Sequence, residues 1–268
     1  MTELRGATVL VTGGASGIGR LVALSCAAKG SRIVLWDIDA PALDAVADEI
    51  RRRGADVVTA VCDLGSRHAI EAAAAECGAV DVLVNNAGIV SGKPLLETTP
   101  EQIERTFAVN ALAPIWTTRA FLAGMIERKR GHIVNVSSAA AISAPPRLTD
   151  YAASKWALVG FDEALRLELR RGRRKVRTTI VCPFYIKTGL FEGAKTRFRS
   201  ILPILEPEAV ADRIVGAIEG NKSRVVMPRF VYTGYVARVL QIRIYDALMS
   251  VFGISRSMDD FVGRTPGK

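Results

Sequence analysis

Histidine is nearly missing from this 268-residue chain. His68 and His132 are the only two, and neither has cysteine or acidic companions at metal-ligand spacing, so no metal centre is expected. Both read as ordinary surface or strand-edge residues. Cysteine is sparse too: Cys26, Cys62, Cys77 and Cys182 are scattered without a Cys-x-x-Cys pair. That pattern suits reduced, structural thiols better than a disulfide framework. No run of about eighteen uncharged apolar residues is present, so a spanning helix is not expected. The start, Met1-Thr-Glu-Leu-Arg5, has no signal-peptide core, which predicts a cytoplasmic protein. Aromatics are only 6% of the chain and do not interleave with its basic runs, which argues against nucleic acid despite a formal charge of +9.

What is present in quantity is apolar side chain, 49% of residues, enough for an ample core without metal or disulfide staples. Short β-branched runs alternate with longer Ala-rich stretches of helical pattern. The predicted strands are Thr8–Thr12, Arg32–Trp36, Val57–Cys62, Val80–Asn85, His132–Ser137, Val176–Cys182 and Arg224–Met227. Runs such as Val-Leu-Val and Ile-Val-Leu fit strands buried on both faces, as in a parallel sheet. Thr99-Pro100-Glu101 marks a helix start. Repeated βα units predict an α/β fold: one doubly wound parallel sheet of the Rossmann type, helices on both faces, ligands at the strand C-termini. No linker interrupts 1–268, which reads as a single dinucleotide-binding and catalytic domain. Arg51-Arg52-Arg53 and the cations from Arg170 to Arg177 are expected at helix C-termini, where the dipole favours them; a surface for anionic lipid or an acidic partner is the other reading.

The first strand runs into Thr12-Gly13-Gly14-Ala15-Ser16-Gly17-Ile18-Gly19, and a helix follows. Glycines let backbone turn sharply and approach a pyrophosphate, and the helix N-terminus supplies N–H donors. The spacing is G-xxx-G-x-G. The second strand ends in Asp37, about twenty positions on, where a carboxylate can bind both adenosine ribose hydroxyls and repel a 2′-phosphate. Ile38 brings no compensating cation, so NAD(H) is expected over NADP(H). Asp37 could instead cap the next helix, a role that suits Asp39 better.

Further along, Tyr151-Ala-Ala-Ser-Lys155 opens an apolar-striped helix, placing Tyr151 and Lys155 on one face. Ser138 lies thirteen residues upstream at a strand end, and Asn85-Asn86-Ala87-Gly88 ends another strand. With the glycine loop and Asp37, this set resembles the short-chain dehydrogenase/reductase family over nearly the whole chain. The resemblance implies hydride transfer between an alcohol or carbonyl and a nicotinamide, with Asn110, Ser138, Tyr151 and Lys155 as the catalytic group. A phenol with its ordinary pKa of about 10 is a poor base at neutrality, and a neighbouring ammonium would lower it. Ser138 would hydrogen-bond the substrate oxygen; the alternative partner, Ser137, fits the family spacing less well. Lys155 would also hold the nicotinamide ribose, Asn110 a water relay (or merely a bend in its helix), and Asp63 the adenine. The implied cofactor-binding set is Gly13, Ser16, Gly17, Ile18, Gly19, Asp37, Asp63, Asn86, Ala87, Gly88, Pro183, Ile186 and Thr188, together with Tyr151 and Lys155.

Phe184 stands where the family usually has glycine after Pro183, which puts an aromatic beside the nicotinamide pocket. The stretch from Thr178 to Gly193, with Ile201-Leu-Pro-Ile-Leu-Glu-Pro207 and Met227-Pro228-Arg229-Phe230, is similar to the epidermal-type retinol dehydrogenases and lipid-associated hydroxysteroid dehydrogenases. The animal members of that subgroup carry an N-terminal membrane anchor, which is not expected here. From Pro228 to Lys268 runs an apolar extension whose residues surround a helical wheel, so protein or lipid must cover it. Core or subunit packing, a substrate lid and a membrane-facing wall all fit. The expected reaction interconverts a lipophilic alcohol, retinol-like, steroid-like or long-chain, with its carbonyl. The expected assembly is a homodimer or homotetramer with at most peripheral membrane contact. Two alternatives remain: a ketoreductase for carrier-bound 3-oxoacyl chains, with Arg128, Lys129 and Arg171 docking the acidic carrier, and a non-catalytic dinucleotide-sensing scaffold.

Overall fold

The computed structural model describes residues 1–263. Its strands are β1 Thr8–Thr12, β2 Arg32–Asp37, β3 Val57–Val61, β4 Val82–Asn85, β5 Gly131–Val136, β6 Val176–Pro183 and β7 Arg224–Met227. All pair in parallel, in the order β3-β2-β1-β4-β5-β6-β7. Successive strand residues point to opposite faces. Val9, Val11, Ile33 and Leu35 therefore enter one core, and Leu10, Val34 and Trp36 the other. Helices α1 (Gly17–Ala28), α2 (Ala40–Arg52) and α7 (Pro207–Glu219) close the first face through Val22, Leu43, Ile50, Ile214 and Ile218. On the second face α3 (Arg67–Cys77), α5 (Ala113–Glu127) and α6 (Thr149–Arg171) bring Ile70, Phe121, Met125 and Leu165. This is the doubly wound sheet expected from the alternating pattern. Its strand order reverses between β1 and β4, where a crevice opens at the carboxyl ends.

Local signals hold. Asp39 caps α2 by accepting from Ala42 N at 3.1 Å, and Thr99 with Gln102 forms a capping box on α4 (Pro100–Phe107). Both basic runs reach helix C-termini: Arg51 and Arg52 occupy the last turn of α2, Arg170 and Arg171 that of α6. Burial pushes the Cys26 thiol up to about 12 and the Cys62 thiol up to about 11, so these cysteines stay protonated.

A buried polar chain then ties α6 to the sheet. Thr117 donates to Asn85 at 2.7 Å, Asn85 to Asn135 at 2.9 Å, and Asn135 to Asp162 at 2.9 Å. Each bond fixes β4, β5 and α6 in one register. Tyr151 lies about three turns N-terminal of Asp162 on the same helix, so its position is set from below.

His132, read as a surface or strand-edge residue, sits at a strand end but inside the protein. It is fully buried at the start of central strand β5, with Nδ1 2.9 Å from Thr2 Oγ1 and Nε2 2.8 Å from Thr179 Oγ1. Burial drops its pKa from 6.5 to about 4, with Arg177 adding to the effect. The neutral ring is the folded form, so its contribution is full above pH 6.5 and is lost as pH falls towards 4. Asp162 acts oppositely, because burial raises its carboxyl from 3.8 to about 6. Comparing His132→Gln with the wild type isolates the imidazole. We expect the variant's unfolding free energy to lose a slope of up to roughly 1.4 kcal/mol per pH unit across that window. Equal slopes in denaturant titrations of both proteins would refute the assignment.

Beyond β7 no single helix forms. Residues 229–232 make one 3-10 turn, α8 spans Thr233–Ala237, and α9 spans Ile242–Val251 before Gly253, at φ 74°, ends it. Tyr245, Leu248, Met249 and Phe252 turn inward at helical spacing, while Ile242, Ile244 and Val251 face out. The apolar ring on the helical wheel is thus two faces with different surroundings.

Candidate active site

At the reversal point, Thr12 and Asn86 stitch the two central loops together. Thr12 Oγ1 accepts from the N–H groups of Asn86 and Ala87 at 3.0 and 3.2 Å, and Asn86 Nδ2 donates to Thr12 O and Gly13 O at 3.0 and 3.2 Å. Gly13 has φ 64°, and a Cβ there would lie 2.9 Å from Ala87 Cα, so only glycine fits this crossing. Gly17, at φ 53°, starts α1 with Ser16 as its N-cap residue, and Ile18 follows in the first turn. Gly19 sits behind the loop, where a side chain would run into the Gly13 carbonyl. The result is a cradle of bare backbone at a helix N-terminus, the donor set that suits a pyrophosphate.

From this cradle a cleft of about 260 Å³ runs along the strand ends. Gly13, Ser16, Gly17 and Ile18 line its floor, with Asp37 and Asp63 at one side. Asn86, Ala87 and Gly88 form the middle; Pro183, Ile186 and Thr188 close the other side beside Ser138, Tyr151 and Lys155. Of the residues expected to bind the cofactor, only Gly19 stands outside the lining.

Asp37 is held firmly. Its Oδ2 accepts from Ala15 N at 3.0 Å and its Oδ1 from Ile38 N and Asp39 N at 2.8 and 3.3 Å. It therefore shapes the glycine loop and the approach to α2, while Asp39 does the capping. Asp63 is gripped by Arg105, whose Nη1 and Nη2 donate at 3.0 and 2.6 Å, and the Arg105 bonds hold its carboxyl below the usual range. Arg105 lines the cleft as well, and sequence reasoning missed it: nothing on α4 distinguishes it from a solvated arginine.

Tyr151 is 4% exposed, Lys155 3% and Ser138 8%. Ser138 Oγ accepts from Ala140 N at 3.1 Å, and its hydroxyl acts on the Tyr151 phenol in the sense that favours the phenolate. The neighbouring Ser137 donates to Lys155 O at 2.9 Å. Lys155 Nζ donates to Val136 O at 2.9 Å and lies 5.8 Å from the Tyr151 ring centroid. Burial depresses its ammonium to about 8. The same burial pushes the Tyr151 phenol up, against the lowering influence of Ser138. The expected lowering by Lys155 does not show among the influences on the phenol, where burial is the largest.

Asn110 lies in a wider π turn, 108–112, between α4 and α5. It donates to Ile89 O at 2.9 Å and Ser154 Oγ at 3.1 Å, and accepts from Ile89 N at 2.9 Å. It braces the loop after β4 against α6 from behind Lys155, outside the cleft lining. Phe191, also unforeseen, meets Tyr151 edge-on at 5.5 Å. It belongs to an irregular segment after β6, where no periodicity marks an inward residue.

The family model described as short chain dehydrogenase matches residues 7–197. The chain belongs to that family. This short-chain dehydrogenase is an oxidoreductase of the alcohol–carbonyl class, and its relatives are named for retinol and steroids. It is 42% identical to epidermal retinol dehydrogenase 2 of Homo sapiens over 97% of this chain and 86% of that one. Estradiol 17-beta-dehydrogenase 11 of Mus musculus is 42% identical over 84% and 76%. Among solved structures, a short-chain dehydrogenase from Burkholderia phymatum in complex with NAD superposes with TM-score 0.81 at 28% identity, covering 89% of this chain and 95% of that one. A metagenomic short-chain oxidoreductase in complex with NADP gives 0.72 at 35%, covering 84% and 98%.

The dehydrogenase's cleft also bears on the carrier-protein alternative. Arg128 donates to Val80 O at 2.8 Å, and Arg171 ends α6, so both lie at the amino-terminal edge of the sheet, opposite the cleft. A carrier docked there would face the wrong end of the strands.

Proposed function

We propose that this dehydrogenase interconverts a lipophilic alcohol and its aldehyde or ketone with NAD(H), using Tyr151 as acid and base. One observation carries the reading: a single cleft joins the glycine cradle and Asp37 to the buried Ser138, Tyr151 and Lys155. The oxidised dinucleotide, when bound, supplies the hydride acceptor and a positive charge that favours the phenolate. Gly13, Ser16, Gly17 and Ile18 hold its pyrophosphate, with Gly19 giving the loop room. Asp37 takes the adenosine ribose and disfavours a 2′-phosphate, Asp63 lies at the adenine end, and Asn86 to Gly88 with Pro183, Ile186 and Thr188 enclose the nicotinamide half. Tyr151 takes the hydroxyl proton in oxidation and returns it in reduction. Its raised pKa leaves it protonated at rest, the form that donates to a carbonyl. Ser138 steadies the substrate oxygen, Lys155 adds positive charge beside the phenol, and Asn110 is a positioning residue.

The substrate class follows from the walls around Tyr151, where Phe184, Phe191 and Leu190 leave apolar surface at the reacting end. The test is NAD-linked oxidation of retinol, a hydroxysteroid, butanol and decanol side by side. We expect kcat/KM to rise steeply with apolar size, by up to about fourfold per methylene before ordering costs. A flat profile would remove the lipophilic claim.

The extension supports peripheral contact with a lipid surface in a protein otherwise cytoplasmic. Val236, Val239 and Ile242 are 71%, 82% and 73% exposed on neighbouring turns, beside Arg243. Among the described residues no helix is long and apolar enough to cross a membrane. Flotation with anionic vesicles should recover wild-type protein, and Val239→Asp with Ile242→Asp should release it. Equal flotation of both would remove this claim.

A further inference from the structure

Beside the catalytic cleft lies a second cavity of about 220 Å³. Its walls include Leu202 from the segment after β6, Phe230 beyond β7, Leu248 and Met249 on the inner face of α9, and Phe252 just past its end. A third, narrow space of about 20 Å³, the neck, shares lining residues with both. The neck shares Ser138, Phe184 and Phe191 with the cleft, and Ala139, Ser143, Phe184 and Ile254 with the cavity. Phe184 alone lines all three spaces, so the aromatic that replaces the expected glycine stands at the junction.

The cavity offers little to a polar ligand: Ser143, Thr233 and Tyr245 are its hydroxyl-bearing wall residues. Thr233 donates to Phe230 O at 2.7 Å and Tyr245 to Ser143 at 3.1 Å, so these two hydroxyl donors are spent inside the protein. A polar head group here would be left unpaired, at a cost; an apolar chain would not. The lid over the cavity is also fixed in place. Arg238 donates to Ile142 O at 2.7 Å and stacks 4.3 Å over Trp156, and Tyr185 pairs with Ser257 at 2.8 Å. These contacts clasp the extension to the segment that follows Ser138, to α6 and to the segment after β6.

We propose that this lateral chamber binds the apolar chain of the alcohol, which reaches it from Tyr151 past Phe184. The proposal rests on the reading of the cleft as an alcohol site and adds where the chain goes. It also gives the residues beyond β7 a function: they are the chamber's outer wall. Depth of the chamber, not the cleft alone, then sets chain-length preference.

The test fills the chamber from either wall, with Leu248→Trp on α9 and Ala237→Phe on α8, and reads the decanol-to-butanol ratio of kcat/KM. In the wild type the ratio should be on the order of a hundredfold, well short of the area limit because the chain must be ordered. Each filled variant should bring it below about tenfold, with melting temperature and NADH affinity kept. Calorimetric titration of decanol and butanol into NADH-saturated enzyme reads the same preference without turnover. If no alcohol is oxidised, the functional reading falls and the chamber is judged by that titration. Should the wild type bind decanol no more tightly than butanol, or should a folded filled variant keep the wild-type ratio, the chamber is not the chain site.

Discussion

Tyr151→Phe should lower NAD-linked turnover by roughly 10²–10⁴, the range of general acid–base catalysis, while leaving NADH affinity and the melting curve close to wild type. The ring's packing against Phe191 survives the change; only the hydroxyl shared with Ser138 is lost. Stopped-flow NADH formation separates this from a binding defect, because the loss should fall on the hydride step with saturating dinucleotide. Ser138→Ala, tested beside it, should be milder if Ser138 only stabilises charge on the substrate oxygen. Near-normal turnover by Tyr151→Phe with a good substrate would contradict the mechanism.

The second large effect concerns dinucleotide choice. Wild-type enzyme should prefer NAD(H) over NADP(H) by about 10² or more in kcat/KM, since a carboxylate facing a phosphate costs several kcal/mol. Asp37→Ser with Ile38→Arg should reverse or erase that preference. The structure adds a cost that the sequence concealed: Asp37 also accepts from Ala15, Ile38 and Asp39 N–H groups. The double variant should therefore bind NAD(H) more weakly through a loosened glycine loop as well as through a lost ribose contact. A wild-type preference for NADPH would overturn the assignment.

Much of this was legible in the sequence because parallel strands buried on both faces leave continuous apolar runs. Val9-Leu10-Val11 and Ile33-Val34-Leu35 located β1 and β2, and from them the glycine loop and Asp37. Helical spacing puts Tyr151 and Lys155 on one face, and the resemblance to the short-chain family gave them their roles. Readings failed where one side chain's neighbours come from distant segments. His132 read as a surface or strand-edge residue, and its burial could not be seen because it depends on Thr2 and Thr179, far away in the chain. Arg105 reaches Asp63 across 42 positions, and the Tyr151 phenol is governed by desolvation that no spacing records. The extension was misjudged for a related reason. A helical wheel assumes one continuous helix, whereas α8 and α9 are separate and turn only one face inward.

The central claim, that this cleft performs hydride transfer and is not merely a dinucleotide sensor, is tested most directly by one single-turnover experiment. Wild-type enzyme, in excess over NAD⁺, is mixed with decanol and NADH formation is followed by absorbance. The account predicts that nearly every bound dinucleotide is reduced in a first-order phase, which Tyr151→Phe slows by at least about 10². Tight dinucleotide binding without NADH formation from any alcohol, and without NADH consumption by the matching carbonyls, would contradict it.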